Sequence, residues 1–187
     1  MAHCVCPWWV GYLLVSPVRR WLGQDPERIL VPYVREGMTV LEPGPGMGFF
    51  TIPLAKMVGA SGRVIAVDLQ PKMIAVLKRR AAKARVLDQI DGRVTSAETM
   101  GVADLDGKVD LTLAFAMVHE FPDAGHFFRE VASASKPGAR VLLAEPRGHV
   151  NEAKFASELA AAAAAGLTVL ERPTIARSVS ALLVKAS

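Results

Sequence analysis

From about residue 38 onward, short apolar runs alternate with stretches whose apolar residues recur at helical spacing. The pattern predicts strands over 38–42, 63–68, 93–96, 109–115 and 140–144. The fourth of these is apolar on both faces, as a strand covered on two sides must be. Helices are predicted over 49–58 and from Pro71 to about Arg85. Pro71 suits a first helical position, where no backbone N–H is needed. Asp123 can cap a further helix carrying Phe127, Phe128 and Val131, which stops at Lys136-Pro137-Gly138. Asn151 can cap the next, which ends at Gly166 and contains the alanine run Ala160 to Ala165. Two strand-like segments follow, 167–171 and 178–184, joined through Arg172-Pro173. No helix fits between them, so they should pair antiparallel.

This order predicts an α/β fold: a mostly parallel, seven-stranded sheet closed by a C-terminal antiparallel hairpin. Residues 1–25 stand apart as an N-terminal extension, and 26–187 form the domain. Asp25-Pro26-Glu27 begins a helix carrying Ile29, Leu30, Tyr33 and Val34. Before it lies an aromatic segment with Trp8, Trp9, Tyr12 and Trp21, expected either to cover the site or to pack on the domain or a second copy.

Composition narrows the class. At 187 residues, 51% hydrophobic and 21% charged, the chain can build one sizeable core and has no disordered composition. A net charge of +4 is too mild to establish nucleic-acid binding. The densest basic run, Lys78, Arg79, Arg80, Lys83 and Arg85, reads as a solvated helix face. Cys4 and Cys6 are poorly placed to bridge each other. With His3 they are also too tightly spaced for a structural zinc site, so no metal is expected. The apolar stretch 7–18 is broken by Pro7, Gly11 and Pro17 and is too short for a bilayer. A cytoplasmic protein with no membrane partner is the expectation, as a monomer or homodimer.

The chemistry concentrates where strands end. Val40-Leu41-Glu42-Pro43-Gly44-Pro45-Gly46-Met47-Gly48 carries a strand into a turn with glycine at every second position, then a helix. Such a turn lets the backbone approach a ligand and directs N–H groups at an anion. Val64-Ile65-Ala66-Val67-Asp68 then places an acid at the end of the second strand, where it can accept from both ribose hydroxyls or cap the helix begun near Pro71.

Glu42 to Gly48, Asp68, Ser96-Ala97-Glu98, Asp110 to Pro122 and Lys136-Pro137-Gly138 before an apolar strand fall in one order. That order resembles the class I S-adenosylmethionine-dependent methyltransferases, a Rossmann-like family. It is most similar to the small-molecule branch that includes the quinone-biosynthesis C-methyltransferases. The resemblance covers about residues 26–187. It implies S-adenosylmethionine as cofactor, with Gly44, Gly46 and Gly48 under its methionine part and Glu42 near its amino group. It implies Asp68 on the ribose, Leu69 against the adenine, Ser96 and Ala97 at the adenine edge, and Ala114 and Phe115 beside the sulfonium. Two positions depart. Many relatives carry Asp where Ser96 stands, and often a polar residue where Phe115 stands. The Asn/Asp-Pro-Pro-aromatic signature of amide and exocyclic-amine methyltransferases is absent, which counts against DNA adenine or glutamine methylation.

The loops after the fourth and fifth strands carry His119 and Glu145-Pro146-Arg147-Gly148-His149. His119 and Glu145 are the candidate catalytic residues, with His119 as base because its ordinary pKa lies near neutrality. Each has a plainer reading: His119 as a locally packed loop histidine, Glu145 as a carboxylate paired with Arg147. His126, in a helical first turn, reads as structural. A small, partly apolar methyl acceptor suits this mixture. Other readings are a nicotinamide-dependent oxidoreductase, whose G-x-G-x-x-G spacing this turn lacks, a non-catalytic S-adenosylmethionine-binding protein, and an RNA methyltransferase.

Overall fold

The computed structural model describes residues 23–186. The aromatic segment with Trp8, Trp9, Tyr12 and Trp21, together with His3, Cys4 and Cys6, lies outside the described residues. Among the described residues there are seven strands, three between residues 39 and 94 and four between 109 and 185. Two compact units divide the chain at Thr95 and Ser96.

The first unit begins with helix α1 (Pro26–Leu30), where the Asp25 side chain accepts from the Glu27 N–H. The helix is shorter than the apolar pattern predicts, leaving Tyr33 and Val34 beyond its end. Pro32 is the physical reason: it has no N–H to continue the ladder, and its ring opposes the carbonyl one turn back. Strand β1 (Thr39–Pro43) pairs in parallel with β2 (Arg63–Asp68), and β2 with β3 (Ile90–Val94). Helix α2 (Thr51–Val58) lies between β1 and β2 in sequence, and α3 (Pro71–Lys83) between β2 and β3. The third strand lies earlier than its expected 93–96, so Ser96 falls in the following loop. Val94, the last residue of β3, is followed in that loop by Thr95, and β-branching there imitates a continuing strand.

The second unit holds β4 (Val109–Phe115), α4 (Ala124–Ala134), β5 (Ser135–Pro146), α5 (Glu152–Ala164), β6 (Leu167–Glu171) and β7 (Ser178–Lys185). Strands β4 and β5 are parallel, while β7 runs antiparallel to both β5 and β6. Asp123 caps α4 by accepting from His126 N–H, and Asn151 caps α5 by accepting from Lys154 N–H. Phe127, Phe128 and Phe155 are fully buried and carry α4 and α5 onto the sheet. Strand β5 starts earlier than expected. Lys136-Pro137-Gly138 is drawn into a register shift against β4, with Gly138 at φ 74°, instead of standing as a separate turn.

The Gly-rich turn after β1 is left-handed at Gly44, Gly46 and Gly48, with φ 66°, 54° and 86°. At Gly48 a Cβ would meet Leu77 Cδ1 at 2.5 Å, and Leu77 is fully buried. At Gly46 a Cβ would meet nothing within 4 Å. Gly48→Ala should therefore lower stability by about 2–3 kcal/mol, from backbone strain plus a core clash. Gly46→Ala should cost only about 1 kcal/mol, for strain alone. Urea unfolding of the two variants measures the difference.

Candidate active site

In the first unit the turn and the acid at the end of β2 meet directly. Asp68 Oδ2 accepts from the Gly46 N–H at 3.2 Å, and Oδ1 accepts from the Gln70 N–H at 2.8 Å. Asp68 thus ties the Gly-rich turn to the end of β2. It bonds no N–H within α3, so it is not that helix's cap in the usual sense. Burial pushes its pKa up, against the two backbone donors that pull it down. Each carboxylate oxygen keeps further lone-pair capacity for hydroxyl donors. Glu42 is buried at the end of β1, and Leu69 is half-buried beside Asp68.

Arg80 corrects the reading of the basic run. Lys78 and Arg79 are exposed, but Arg80 is half-buried and its Nη1 donates to the Met47 carbonyl inside the Gly-rich turn. Burial holds its pKa below the usual guanidinium value. Met47 packs with Met73 and Val76 of α3 beneath this contact. Helical spacing puts Arg80 at the edge of the apolar stripe of Met73 and Leu77, which was the available signal for an inward-reaching arginine.

In the second unit β4 ends with Ala114 and Phe115 buried, and Ala116 then turns left-handed at φ 57°. A non-glycine residue in that region is strained and needs surrounding contacts to hold it. Those contacts are present. The Ala116 N–H donates to the Ala144 carbonyl of β5 at 2.7 Å. The next two N–H groups, of Met117 and Val118, donate to Glu145 Oε1 at 3.1 and 2.9 Å. Glu145 Oε2 bonds His119 Nδ1. Glu145 is therefore no loop carboxylate paired with Arg147. It is a fully buried residue of β5 that organises the short 3-10 turn Val118–Glu120. Arg147 pairs instead with Glu152 at 3.3 Å.

With Nδ1 engaged, His119 has Nε2 left for other chemistry. The His149 ring stacks on it with centroids 5.3 Å apart. Burial, the largest influence, pulls the His119 pKa down. The hydrogen bond and charge of Glu145, with the charge of Glu120, push it up further, so the net direction is upward. His126 is half-buried, and its Nε2 lies 3.5 Å from Glu130 Oε2, a contact within α4. Ser96 and Ala97 are exposed in the loop after β3, where Ser96 Oγ accepts from the Glu98 N–H.

His119 also lines a cavity of about 420 Å³ together with Val118, Phe121, Lys154 and Glu158. Glu158 was not singled out by its sequence. It precedes the alanine run on a helix whose hydrophobic pattern is weak, and nothing local marks it as buried. Yet only 4% of it is exposed, and neither carboxyl oxygen has a hydrogen-bond partner. Burial, then the charge of Glu145, pushes its pKa up to about 7.

A family model described as a methyltransferase domain matches residues 34–177. The ribosomal protein L11 methyltransferase of Pelotomaculum thermopropionicum is 32% identical over 78% of this chain and 43% of its own length. The demethylmenaquinone methyltransferase of Halalkalibacterium halodurans is 32% identical over 60% of this chain and 44% of its own. The chain thus spans less than half the length of these relatives. A crystal structure of an S-adenosylmethionine-dependent methyltransferase from Aquifex aeolicus superposes with a TM-score of 0.83 at 24% identity, covering 96% of this chain and 98% of that one. Among the described residues no helix is long and apolar enough to cross a membrane.

A raised pKa at Glu158 carries a sign for stability. The folded state holds its proton more tightly than the unfolded chain, so its contribution is complete below about 4.5 and is lost as pH rises through about 7. The loss should reach up to about 3 kcal/mol. His119, raised above 6.5, adds a loss in the same direction at higher pH. Glu158→Gln should remove the part between about 4.5 and 7. Unfolding free energies of both proteins across that range, by urea titration, give the comparison.

Proposed function

We propose a division of roles for a chain that belongs to the S-adenosylmethionine-dependent methyltransferases: the Gly-rich turn and Asp68 hold the methyl donor, and His119, positioned by Glu145, serves a small-molecule acceptor. S-Adenosylmethionine is the cofactor, and when bound it supplies a methyl group already activated on a sulfonium. The residues present fit it. Three left-handed glycines keep side chains out of the turn, the space above Gly46 is open, and Asp68 is already anchored with acceptor capacity to spare. In this reading Gly44, Gly46 and Gly48 underlie the amino-acid part, with Glu42 toward its amino group. Asp68 accepts from the ribose hydroxyls, and Leu69 packs on the adenine. The family resemblance adds Ser96, Ala97, Ala114 and Phe115 as donor-binding positions.

The observation that carries the acceptor reading is the His119–Glu145 pair. The buried carboxylate fixes the Nδ1 tautomer and ring direction, and leaves Nε2 to take a proton from an acceptor hydroxyl, amine or acidic carbon. Glu145 touches no acceptor in this scheme; it acts through His119. A small acceptor is supported by the cavity beside His119, whose volume suits a compact molecule. The demethylmenaquinone relative points to the same class. Incubation with labelled S-adenosylmethionine and cell extract, fractionated by mass, tests it. Label should enter the low-mass fraction. Label confined to protein or RNA would refute a small acceptor.

The donor half has its own test. S-Adenosylhomocysteine should bind by calorimetry and NAD should not. Asp68→Ala should cost about 1.5–3 kcal/mol of that binding, at least tenfold, as a charge-assisted acceptor is lost. Unchanged affinity would confine Asp68 to fixing the turn.

For the acceptor half, His119→Ala should lower transfer about 10²–10⁴-fold while S-adenosylhomocysteine affinity stays nearly intact. The rate should rise with pH through a value above 6.5, because the base works only when neutral and Glu145 holds its proton on. Glu145→Gln keeps an acceptor for the Met117 and Val118 N–H groups but removes the charge. Burial then dominates, and the midpoint should move down. A profile unchanged in Glu145→Gln would remove His119 as the base.

A further inference from the structure

Glu158 is a costly residue to leave as it stands. A buried carboxyl without a partner loses hydration and gains nothing in return. Its two oxygens are both unpartnered, while it lines a cavity with His119. Lys154 lies one helical turn earlier on α5 and lines the same cavity, but it is exposed and forms no ion pair with Glu158. The other charged groups facing this space are few. Glu145, behind His119, is fully engaged by two N–H groups and the imidazole. His119 and Glu145 together are at most neutral when the histidine is protonated. Asp123, at the rim, is exposed and occupied as the cap of α4. The surroundings of the cavity are therefore acidic on balance, with two unpartnered acceptor oxygens buried in its wall. Val118, Phe121 and Ala161 supply apolar wall.

We infer that this cavity receives the acceptor through a protonated amine, whose N–H groups donate to the Glu158 carboxylate while its apolar part lies against Val118 and Phe121. That the bound amine is the methyl acceptor rests on the methyltransferase reading above; that an ammonium binds here does not. An ammonium matches the site better than a hydroxyl. It carries several donors for two acceptor oxygens, and its charge offsets the carboxylate that burial has stripped of water. A carboxylate ligand would add a second buried anion and is excluded by the same argument.

The probe is benzylammonium, titrated into the protein saturated with S-adenosylhomocysteine and followed by ¹H–¹⁵N spectra. Benzyl alcohol and benzoate serve as shape-matched neutral and anionic controls. Benzylammonium should shift resonances of residues 118–125 and 154–161, bind at least tenfold more tightly than benzyl alcohol, and leave benzoate without effect. Its affinity should rise about tenfold between pH 6 and pH 8, as Glu158 with its pKa near 7 ionises. Glu158→Gln should abolish both the preference for the amine and the pH dependence, with S-adenosylhomocysteine binding unchanged. Lys154→Met should leave the amine binding intact or strengthen it. The inference is overturned if benzylammonium fails to bind, if it binds no better than the alcohol, or if Glu158→Gln leaves its affinity unaltered. The same titration separates the two readings. Loss of S-adenosylhomocysteine binding would count against the donor site, whereas cofactor binding without amine binding would count against Glu158 alone.

Discussion

A carboxylate taken entirely out of water must find donors or give up its charge, and Glu145 is the residue around which the second unit meets that demand. Its donors are two consecutive backbone N–H groups and one imidazole nitrogen. Supplying consecutive N–H groups requires the chain after β4 to turn sharply. The left-handed Ala116 makes that turn, and the Ala144 carbonyl next to Glu145 on β5 fixes it. His119 follows within the same short turn, so its ring direction is a consequence of satisfying Glu145. The placement of His119 and the burial of one charge are here the same set of hydrogen bonds.

Glu145, Asp68 and Glu158 differ in how far their demand is met. Glu145 is fully met. Asp68 is anchored by Gly46 and Gln70 but retains capacity for hydroxyl donors, which suits a ligand that arrives with two of them. Glu158 has no partner and sits against a cavity. The gradation is one of hydrogen bonding: Glu145 holds the protein's own groups, Asp68 holds two backbone N–H groups with acceptor capacity left, and Glu158 holds none. A buried group that folding leaves unsatisfied is a destabilising feature with no structural return.

The two units solve the same local problem with different means. In the first, glycines allow a tight left-handed turn without strain, and Arg80 braces it through the Met47 carbonyl. In the second, an alanine accepts the strain and a buried acid holds the turn. A glycine turn leaves its backbone exposed to a ligand. A turn wrapped around an acid presents a side chain.

The sequence by itself determined the order of strands and helices, because apolar periodicity and caps such as Asp123 and Asn151 act over a few residues. It also determined the Gly-rich turn and Asp68, since φ values of that kind demand glycine, and an acid ending an apolar strand is a local pattern. His119 and Glu145 were legible as residue types near the ends of β4 and β5. Their mutual bond was not, because it joins positions in separate elements and depends on the parallel pairing of β4 with β5. Glu158 was decided by tertiary structure alone, and Arg80 carried only the faint signal of its place at the edge of the apolar stripe. A charged residue on an amphipathic helix is ordinarily solvated, and nothing within a turn of either residue reveals what the far side of the helix will meet. Arg80 met a backbone carbonyl. Glu158, beside the featureless alanine run, met a cavity, since burial of a side chain is set by what packs over it and not by its neighbours in the chain.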